Sequence, residues 1–251
     1  MTVEIHARGK SFQELHALME KAPDRVLLRD CLGQRFIGAG ARGPREIQIT
    51  GVPGNALGAY LDGARIEVFG NAQDAVGDTM NDGTIVVHGS IGDTTGYAMR
   101  GGAIFVEGNA GYRTGVHMKE YRDRVPALVI GGRAGSFLGE YQAGGVILVL
   151  GLEESGPIVG NFEGIPNIVG NFPCTGMHGG KVFLRSDCRD LLFPPQVHAR
   201  PAGEEDLAQI RGLVEQFCRL FGKDPAQVLE HPFTLVTPDS KNPYRQMYVA
   251  N

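Results

Sequence analysis

A cluster of ionisable side chains lies near the middle of the sequence. Side chains of these types can carry general acid and base chemistry when they are held against a substrate. No nucleophile and no metal-ligand spacing accompanies them, and charged loops that protrude from a rigid framework are commonly contact surfaces. We therefore predict that positions 117–124 form an interface with a partner. The residues of this predicted interface are His117, Lys119, Glu120, Tyr121, Arg122 and Arg124.

A series of methionines is the second feature that could suggest chemistry. Met80, Met99 and Met118 are equally spaced, and Met177 continues the series after longer intervals, with Gln142 interrupting it. Methionine sulfur can bind a metal or a haem iron, but a stack of core side chains explains the regular spacing with no ligand. We predict that this series lies in the hydrophobic core.

Two carboxylates repeat at the same interval as the methionines. Asp74 and Asp93 are separated by this interval, so a repeating fold would place these like charges close together on neighbouring rungs. Aspartates in turns commonly accept hydrogen bonds from backbone N–H groups. We predict this capping role, with a bound cation as the alternative.

The elements that position these residues are indicated by glycine. The pattern G-x-x-G-x-x-x-G recurs four times, and its leading glycines are evenly spaced over much of the chain. A fixed period of about 19 residues is typical of a solenoid. Sharp corners between coils require positive φ or close backbone contact, which explains the 37 glycines in 251 residues. The predicted turn glycines are Gly51, Gly54, Gly58, Gly89, Gly92, Gly96, Gly108, Gly111, Gly115, Gly132, Gly135 and Gly139.

Pairs of apolar residues two positions apart accompany the glycines. Because alternate residues of a strand face the same side, each pair points into the core and stacks on the next. An insertion of five residues interrupts the period after the 117–124 cluster. We predict an all-β solenoid with seven coils of about 19 residues each. The pairs are Ile47/Ile49, Ile66/Val68, Ile85/Val87, Ile104/Val106, Leu128/Ile130, Ile147/Val149 and Val182/Leu184.

The residues between the paired core positions are mixed in character. Glu67, Val86, Phe105 and Leu148 occupy the outer face, so this face is expected to be partly wet and partly covered. A partner protein is one candidate for that cover.

Helical patterns flank the repeats on both sides. Ser11 and Glu14 form a capping box before a short apolar face over residues 11–21. A second helix is indicated by five apolar residues at helical spacing, and Asp224-Pro225 starts a third. We predict that these short helices cap the unpaired strand edges at the two ends of the solenoid. The five residues of the second helix are Leu207, Ile210, Val214, Phe217 and Phe221.

Three regions follow from these patterns. Residues 1–45 are predicted to form an N-terminal helical cap and lead-in, and residues 46–190 the β-helix. Residues 191–251 are predicted to form a C-terminal helix and an extended tail. The tail is a further candidate for contact with another chain.

Composition limits the classes of partner. The net charge of −4 gives no basic surface for nucleic acid, and no apolar run or leader segment indicates a membrane or secretion. We expect a cytoplasmic protein. The cysteines form no C-x-x-C pair, so ordinary reduced thiols are expected rather than a cluster or zinc ligands. They are Cys31, Cys174, Cys188 and Cys218.

Several stretches carry a resemblance to a known family. GNAQDAVGDTMNDGTIVVHG, GYAMRGGAIFVEG, GYRTGVHMKEY and FLGEYQAGGVILVLG resemble the GXGXG domain at the C-terminus of the glutamate synthase large subunit. The resemblance covers about residues 30–190. It implies a right-handed parallel β-helix without catalytic, cofactor-binding or metal-binding residues of its own.

The resemblance also implies partners. In the family this domain braces an amidotransferase domain, which uses an N-terminal cysteine, and a barrel that holds FMN and an iron–sulfur cluster. This sequence begins Met1-Thr2-Val3, so we expect those activities on separate glutaminase-type and FMN synthase subunits. The expected role is a scaffold subunit in the conversion of glutamine and 2-oxoglutarate to glutamate.

Other assignments remain open. One of the subunits of formylmethanofuran dehydrogenase and a small subunit of N-methylglutamate synthase are similar to the same repeat, so a scaffold in one of those complexes or another flavoprotein complex is the alternative. A left-handed hexapeptide-repeat acyltransferase needs a six-residue apolar period, which the longer period of this chain does not supply. Self-association into a homo-oligomer is also possible, because a flat coil face can pair with its copy.

Overall fold

A computed structural model describes residues 2–152, 168–188 and 191–239. Its main feature is an eleven-stranded sheet in which β1 to β9 follow in chain order and are parallel, and β11 and then β10 complete the sheet in antiparallel pairing. The strands are β1 Thr2–His6, β2 Arg25–Leu32, β3 Glu46–Val52, β4 Asp62–Phe69, β5 Asp82–Val87, β6 Ala103–Val106, β7 Ala127–Ile130, β8 Ala143–Val149, β9 Gly179–Leu184, β10 Val197–Pro201 and β11 Thr234–Pro238. The helices are α1 Phe12–Glu20, α2 Glu204–Phe221 and α3 Pro225–Glu230.

All seven predicted strands are present as β3 to β9. Ile66 pairs with Ile85, Ile85 pairs with Ile104, and Ile104 pairs with Leu128 across the five-residue insertion. The core residues of neighbouring coils are therefore paired in register both where the repeat period holds and across the insertion. The predicted all-β solenoid is confirmed.

The parallel sheet begins earlier than the predicted coils. β1 and β2 lie within residues 1–45, for which we predicted a helical lead-in, and Val26 of β2 pairs with Ile47 of β3. α1 lies between these two strands and begins at the predicted capping box, where Glu14 N donates to Ser11 Oγ over 3.3 Å. The N-terminal region is therefore a continuation of the solenoid sheet with one inserted helix.

The inward face of the strands forms one continuous core. Ile66, Ile85, Ile104 and Ile147 have no exposed surface, and the other predicted pairs are equally buried. The methionine series lies in this core as predicted. Leu61, Met80, Met99, Met118, Gln142 and Met177 are all at most 1% exposed.

The outward face of the late strands is also buried, and its cover is part of this chain. Phe105 and Phe183 belong to a second apolar cluster together with residues of α2, which include Val214 and Phe217. A Cβ on Gly131 would lie 2.6 Å from Phe217 Cζ, so the phenyl ring rests directly on the strand backbone. The expected partial cover of this face is present over the strands under α2, and this chain supplies it in place of the partner that was one candidate. The amphipathic helix supplies the apolar cover instead.

Each coil has a turn in which three alternate residues adopt positive φ. In one coil these are Thr94, Gly96 and Ala98, with φ of 56°, 70° and 49°. Thr94 N and Ala98 N donate to the following coil, and Gly96 N donates to the preceding one, to Val76 O over 2.8 Å. The turn thus ties every coil to both neighbours. A Cβ on Gly96 would lie 2.9 Å from Leu128 Cδ1, and glycine holds this middle position in the described coils except the last, where Cys174 has a φ of 62°.

The predicted turn glycines divide into three structural groups. The third glycine of each motif holds this middle turn position, with φ between 63° and 75° at Gly58, Gly96, Gly115 and Gly139. The second glycine lies directly on the previous coil, so that a Cβ on Gly54 would be 2.2 Å from a backbone oxygen. Gly92, Gly111 and Gly135 have equivalent close contacts. A Cβ on the leading glycines Gly51, Gly89 and Gly108 would also clash with the preceding coil. The leading glycine Gly132 contacts the preceding coil through its N–H, which donates to Gly108 O over 2.9 Å.

Candidate docking site

A cleft of about 950 Å³ opens beside the last coils, where the turns enter β8 and β9. We call it the corner cleft. The insertion after β6 forms one wall, and Gln209 of α2 with the end of β11 forms another. Its polar lining residues are His117, Lys119, Glu120, Tyr141, His178, Lys181, Gln209 and Asp239.

The cleft exists because a small residue lies between two large ones. Lys119, Ala143 and His178 hold the same position in three successive coils. Their backbone N–H groups donate to equivalent carbonyl oxygens of the preceding coil, those of Met99, Met118 and Gln142, over 2.8 to 3.0 Å. Ala143 has only a methyl group. Rungs of a sheet are about 4.8 Å apart, so the flanking Lys119 and His178 stand about 10 Å apart over this gap.

Aromatic side chains form one border of the cleft. His117 and Tyr141 occupy equivalent positive-φ turn positions, and their rings stack with centroids 5.2 Å apart and an angle of 9° between planes. Tyr97 contacts the other side of His117 edge-on at 5.9 Å. The positive φ turns these side chains outward, so the ring stack is displayed on the surface.

The inserted loop is held against the solenoid. Glu120 accepts a hydrogen bond from Gly145 N through Oε1 over 2.9 Å, which fixes the start of the loop over β8. Tyr121 and Arg124 exchange two backbone hydrogen bonds of 3.1 Å each and close a tight turn. Arg124 Nη1 reaches back across two coils to Asn81 O at 3.0 Å and to Asp62 Oδ1 at 3.3 Å.

The predicted interface residues are thus divided by the structure. His117, Lys119 and Glu120 line the corner cleft. Tyr121 and Arg122 lie at the exposed tip of the loop, where the Arg122 guanidinium lies 5.1 Å from the centre of the Tyr121 ring. The first set is concave and the second protrudes, so the two sets offer different contact geometries.

Sequence reasoning did not identify Tyr141, His178, Lys181 or Asp239 as part of this site. A signal for His178 was available, because Met118, Gln142 and Met177 were already aligned as one core series and the residue after each of them enters the cleft. No comparable signal exists for Asp239, which follows β11 and reaches the cleft through the final antiparallel pairing.

Asp74 and Asp93 have the predicted capping role. Asp74 Oδ1 accepts from Asp93 N over 3.0 Å, and Asp93 Oδ1 accepts from Tyr112 N over 2.8 Å. A second series of the same kind involves other side chains. Asn71 Oδ1 accepts from Ser90 N, and Ser90 Oγ accepts from Asn109 N. Each side chain thus caps the backbone of the following coil. Within the described ranges, no group of three His, Cys, Asp or Glu residues could hold a metal ion.

The cysteines are buried free thiols in the described structure. Burial raises the pKa of Cys31 and Cys174 to about 12 and that of Cys188 to about 11. Burial and the nearby Asp224 also raise the pKa of Cys218. Because the thiolate is the reactive form, none of these groups is prepared to act as a nucleophile. No helix in the described part of the chain has the length and apolarity needed to cross a bilayer.

Comparison with known proteins agrees with this architecture. The chain matches the GXGXG motif family over residues 25–239, which extends from the first residue of β2 to just past β11 and includes α2. It is also 42% identical over 259 aligned residues to an uncharacterized protein of Methanocaldococcus jannaschii, with 99% of this chain and 97% of that protein covered. The repeated glycines, the solenoid and the family match lead to one assignment: the chain belongs to the GXGXG motif family.

Proposed function

We propose that this protein is a non-catalytic scaffold subunit of a glutamate-synthase-type oxidoreductase. In this role it braces two partner subunits, a glutaminase-type amidotransferase and a synthase that carries FMN and an iron–sulfur cluster, in the cytoplasm. The observation that carries the proposal is the GXGXG match over residues 25–239, because the GXGXG domain is a domain of the glutamate synthase family. The M. jannaschii relative is uncharacterized, so it adds no functional information.

The surface of the solenoid supports a docking role. Large aromatic side chains are exposed at or beside the turns of five coils, and aromatic residues are enriched in protein interfaces. They are between 41% and 59% exposed, so they are available to a partner. These residues are Tyr60, Tyr97, Tyr112, Tyr141 and Phe172.

The chemistry of the buried groups supports a non-catalytic role. The four thiols are enclosed and have raised pKa values, so an acyl-transfer nucleophile has to come from a partner. The face covered by α2 is occupied by this chain itself. We therefore propose the turn face and the 117–124 loop as the docking surfaces. Of the predicted tail from Thr234 to Asn251, Thr234–Pro238 forms β11 of this chain's own sheet, and residues 240–251 lie outside the described residues.

Isolation of the native complex tests the proposal. The chain is purified from its source with a mild affinity tag, its stoichiometric partners are identified by mass spectrometry, and the absorbance of flavin and iron–sulfur clusters is recorded. We expect glutaminase-like and FMN-barrel partners and glutamine-dependent formation of glutamate. Partners with molybdenum or tungsten would transfer the assignment to a formylmethanofuran-dehydrogenase-type complex, and a colourless homo-oligomer would reject both.

A pair of charge reversals locates the contact surface. Arg122→Glu changes the exposed loop tip, whereas Arg219→Glu makes the same charge change on the exposed side of α2. We expect the first variant to lose partners in the purification and the second to keep them. Retention of partners by Arg122→Glu would place the contact elsewhere than on the loop, and loss in both variants would show that the effect is not specific to the loop.

A further inference from the structure

We propose that the corner cleft binds a small anionic molecule that carries carboxylate or phosphate groups. This ligand site is additional to the scaffold role and does not depend on which complex the chain joins. The inference rests on the balance of hydrogen-bond donors and acceptors in the cleft, on its two lysines and on its size.

The cleft presents donors that have no acceptor in the described structure. The Lys119 ammonium has no ion pair or hydrogen bond there, and the His117 ring has only the aromatic contacts with Tyr97 and Tyr141. Lys181 Nζ is held by the neutral side chain of Gln209, which positions its charge without cancelling it. A lysine ammonium has three donors and no acceptor, so these groups require acceptors from a ligand or from water.

The carboxylates of the cleft are already engaged. Glu120 Oε1 accepts from Gly145 N, and Asp239 Oδ1 lies 2.5 Å from His198 Nε2 outside the cleft. Neither lysine of the cleft has its charge paired with these carboxylates in the described residues. Lys119 and Lys181 therefore bring two positive charges to the cleft without a direct ion pair in the described residues. An anion is the ligand that satisfies this imbalance.

One further carboxylate lies near the cleft. Asp206 interacts with Lys181 at long range, and this is the smallest of the causes that lower the pKa of Asp206. Both oxygens of Asp206 accept hydrogen bonds from Arg200, over 2.6 and 2.9 Å. The charge of Asp206 is therefore directed to Arg200, and Lys181 keeps its capacity to bind an anion.

The backbone contributes an open edge to the same surface. β11 pairs with β9 from Leu184 to Val182, where Val182 faces Val236. The described pairing of β9 with β11 ends at Val182, and two residues further Pro238 would stand opposite Gly180 without an N–H to donate. Gly180 therefore lines the cleft with no described pairing to β11. Its missing side chain makes room for the preceding coil, because a Cβ there would lie 2.5 Å from Gln142 Nε2 and 2.7 Å from Gly145 O.

Size and spacing define the class of ligand. A volume of about 950 Å³ lies at the upper end of the range for small-molecule sites. Lys119 and His178 lie on either side of the Ala143 rung, about 10 Å apart along the stack. His178 Nδ1 already donates to Gly176 O over 3.0 Å, so Lys119 and Lys181 are the groups left to contact separated anionic groups. The stacked rings of His117 and Tyr141 supply a flat border for the remainder of such a molecule.

Titration of the full chain tests the inference with two probes, inorganic pyrophosphate and citrate. The readout is the chemical shift of backbone amides in ¹⁵N–¹H spectra at constant ionic strength, because free salt screens exposed charges. We expect saturable shifts at Lys119 and at Gly179–Lys181 with a dissociation constant below about 1 mM for at least one probe. Pyrophosphate binding alone indicates a phosphate ligand, and citrate binding alone indicates a carboxylate ligand.

Charge-removing variants provide the controls. Lys119→Gln with Lys181→Gln is expected to weaken binding by roughly tenfold or more while the spectrum remains that of a folded protein. Lys21→Gln, an equal type of change on the exposed residue after α1, is expected to leave binding unchanged.

Three results would overturn the inference. They are no saturable shift with either probe, an equal loss of binding in Lys21→Gln, and shifts spread over the whole surface, which indicate non-specific attraction. None of them bears on the partner purification, so the scaffold proposal is tested separately.

Discussion

The inward and outward faces of strands β5–β9 are equally buried, but they are covered by parts of the chain at very different distances along the sequence. Ile104 packs between Ile85 and Leu128 of the adjacent coils. Phe105, the next residue, belongs to a cluster completed by α2, which starts only at Glu204. Neighbouring residues of one strand therefore depend on local repetition in one case and on a distant helix in the other.

This difference has a consequence for stability. Every coil contributes to the inner core, so the stability of this core is the sum of many similar contacts between neighbouring coils. The outer core depends on a single helix whose removal would expose several large apolar side chains together. We expect the two faces to respond differently to local opening.

The largest expected difference between the two faces is in the reactivity of their thiols. Cys31, Cys174 and Cys188 belong to the inner core, whereas Cys218 belongs to the cluster under α2. A pKa of about 12 leaves a thiolate population at pH 8 roughly 10³-fold below that of a free cysteine. Alkylation with N-ethylmaleimide, followed by mass spectrometry, is expected to modify Cys218 first through local opening of α2. Modification of Cys174 at the same rate would show that the faces open together.

Phe217→Ala tests the outer cover directly. The ring lies on Gly131 and has no exposed surface, so its removal leaves a cavity and should lower the free energy of unfolding by about 4 kcal/mol. Phe172→Ala is the control, because that ring is 57% exposed and should cost less than about 1 kcal/mol. Denaturant unfolding measures both, and similar losses would contradict the assigned role of α2.

Gly54→Ala tests the stacking of the inner coils. A Cβ there would lie 2.2 Å from Gly33 O, and backbone cannot move aside as a side-chain tip can, so we expect a loss of about 3 kcal/mol. Gly40→Ala is a matched control: φ is +66° but nothing lies within 4 Å, which leaves only the conformational cost of roughly 1 to 2 kcal/mol. Equal thermal stability of the two variants would refute close coil contact as the reason for glycine.

The junction between β10 and α2 has an ionic contact that depends on pH. Hydrogen bonds from Arg200, of 2.6 and 2.9 Å, are the main reason that the pKa of Asp206 is lowered. A lowered carboxylate pKa contributes stability above the unfolded value of about 3.9, and that contribution is lost as pH falls through the folded pKa. Asp206→Asn should therefore cost about 1 kcal/mol at pH 7, limited by the solvent exposure of Arg200, and less at pH 2, where the carboxylate is closer to protonation. An unchanged difference at the two pH values would argue against an ionic contribution.

Gly212→Ala has the smallest expected effect and the opposite sign. Gly212 is exposed in the middle of α2, and a Cβ there meets nothing within 4 Å. Alanine should stabilise the helix by roughly 0.8 kcal/mol. If α2 limits the opening of the outer face, the same variant should also slow the alkylation of Cys218 and leave Cys174 unaffected.

The same contrast explains what could be read from the sequence. The inner ladder was predictable because Ile66, Ile85 and Ile104 repeat with a fixed period, and the period itself encodes contact. The helical pattern through Phe217 was equally clear, but nothing in it specified that the ring would pack on Gly131. A contact between distant segments leaves no periodic trace, so the cover of the outer face was missed.

The candidate site was only partly predictable for a related reason. His117, Lys119 and Glu120 were noticed as a local cluster, which sequence displays directly. The cleft also needs the small side chain of Ala143 between two larger ones, and it requires that β11 ends its pairing with β9 at Val236. A gap is defined by residues that are absent or small, and such features carry no chemical signal of their own.

The five-residue insertion before β7 shows where this architecture accepts new length. Lys119 N still donates to Met99 O at the entry, Ala127 N donates to Gly102 O at the exit, and Leu128 still pairs with Ile104. Residues added between these two points leave the strand pairing intact, so the loop can change in length and sequence while the fold stays the same. The same position is a natural place to insert a label or a recognition peptide, and it is where relatives of this protein can diverge in what they contact.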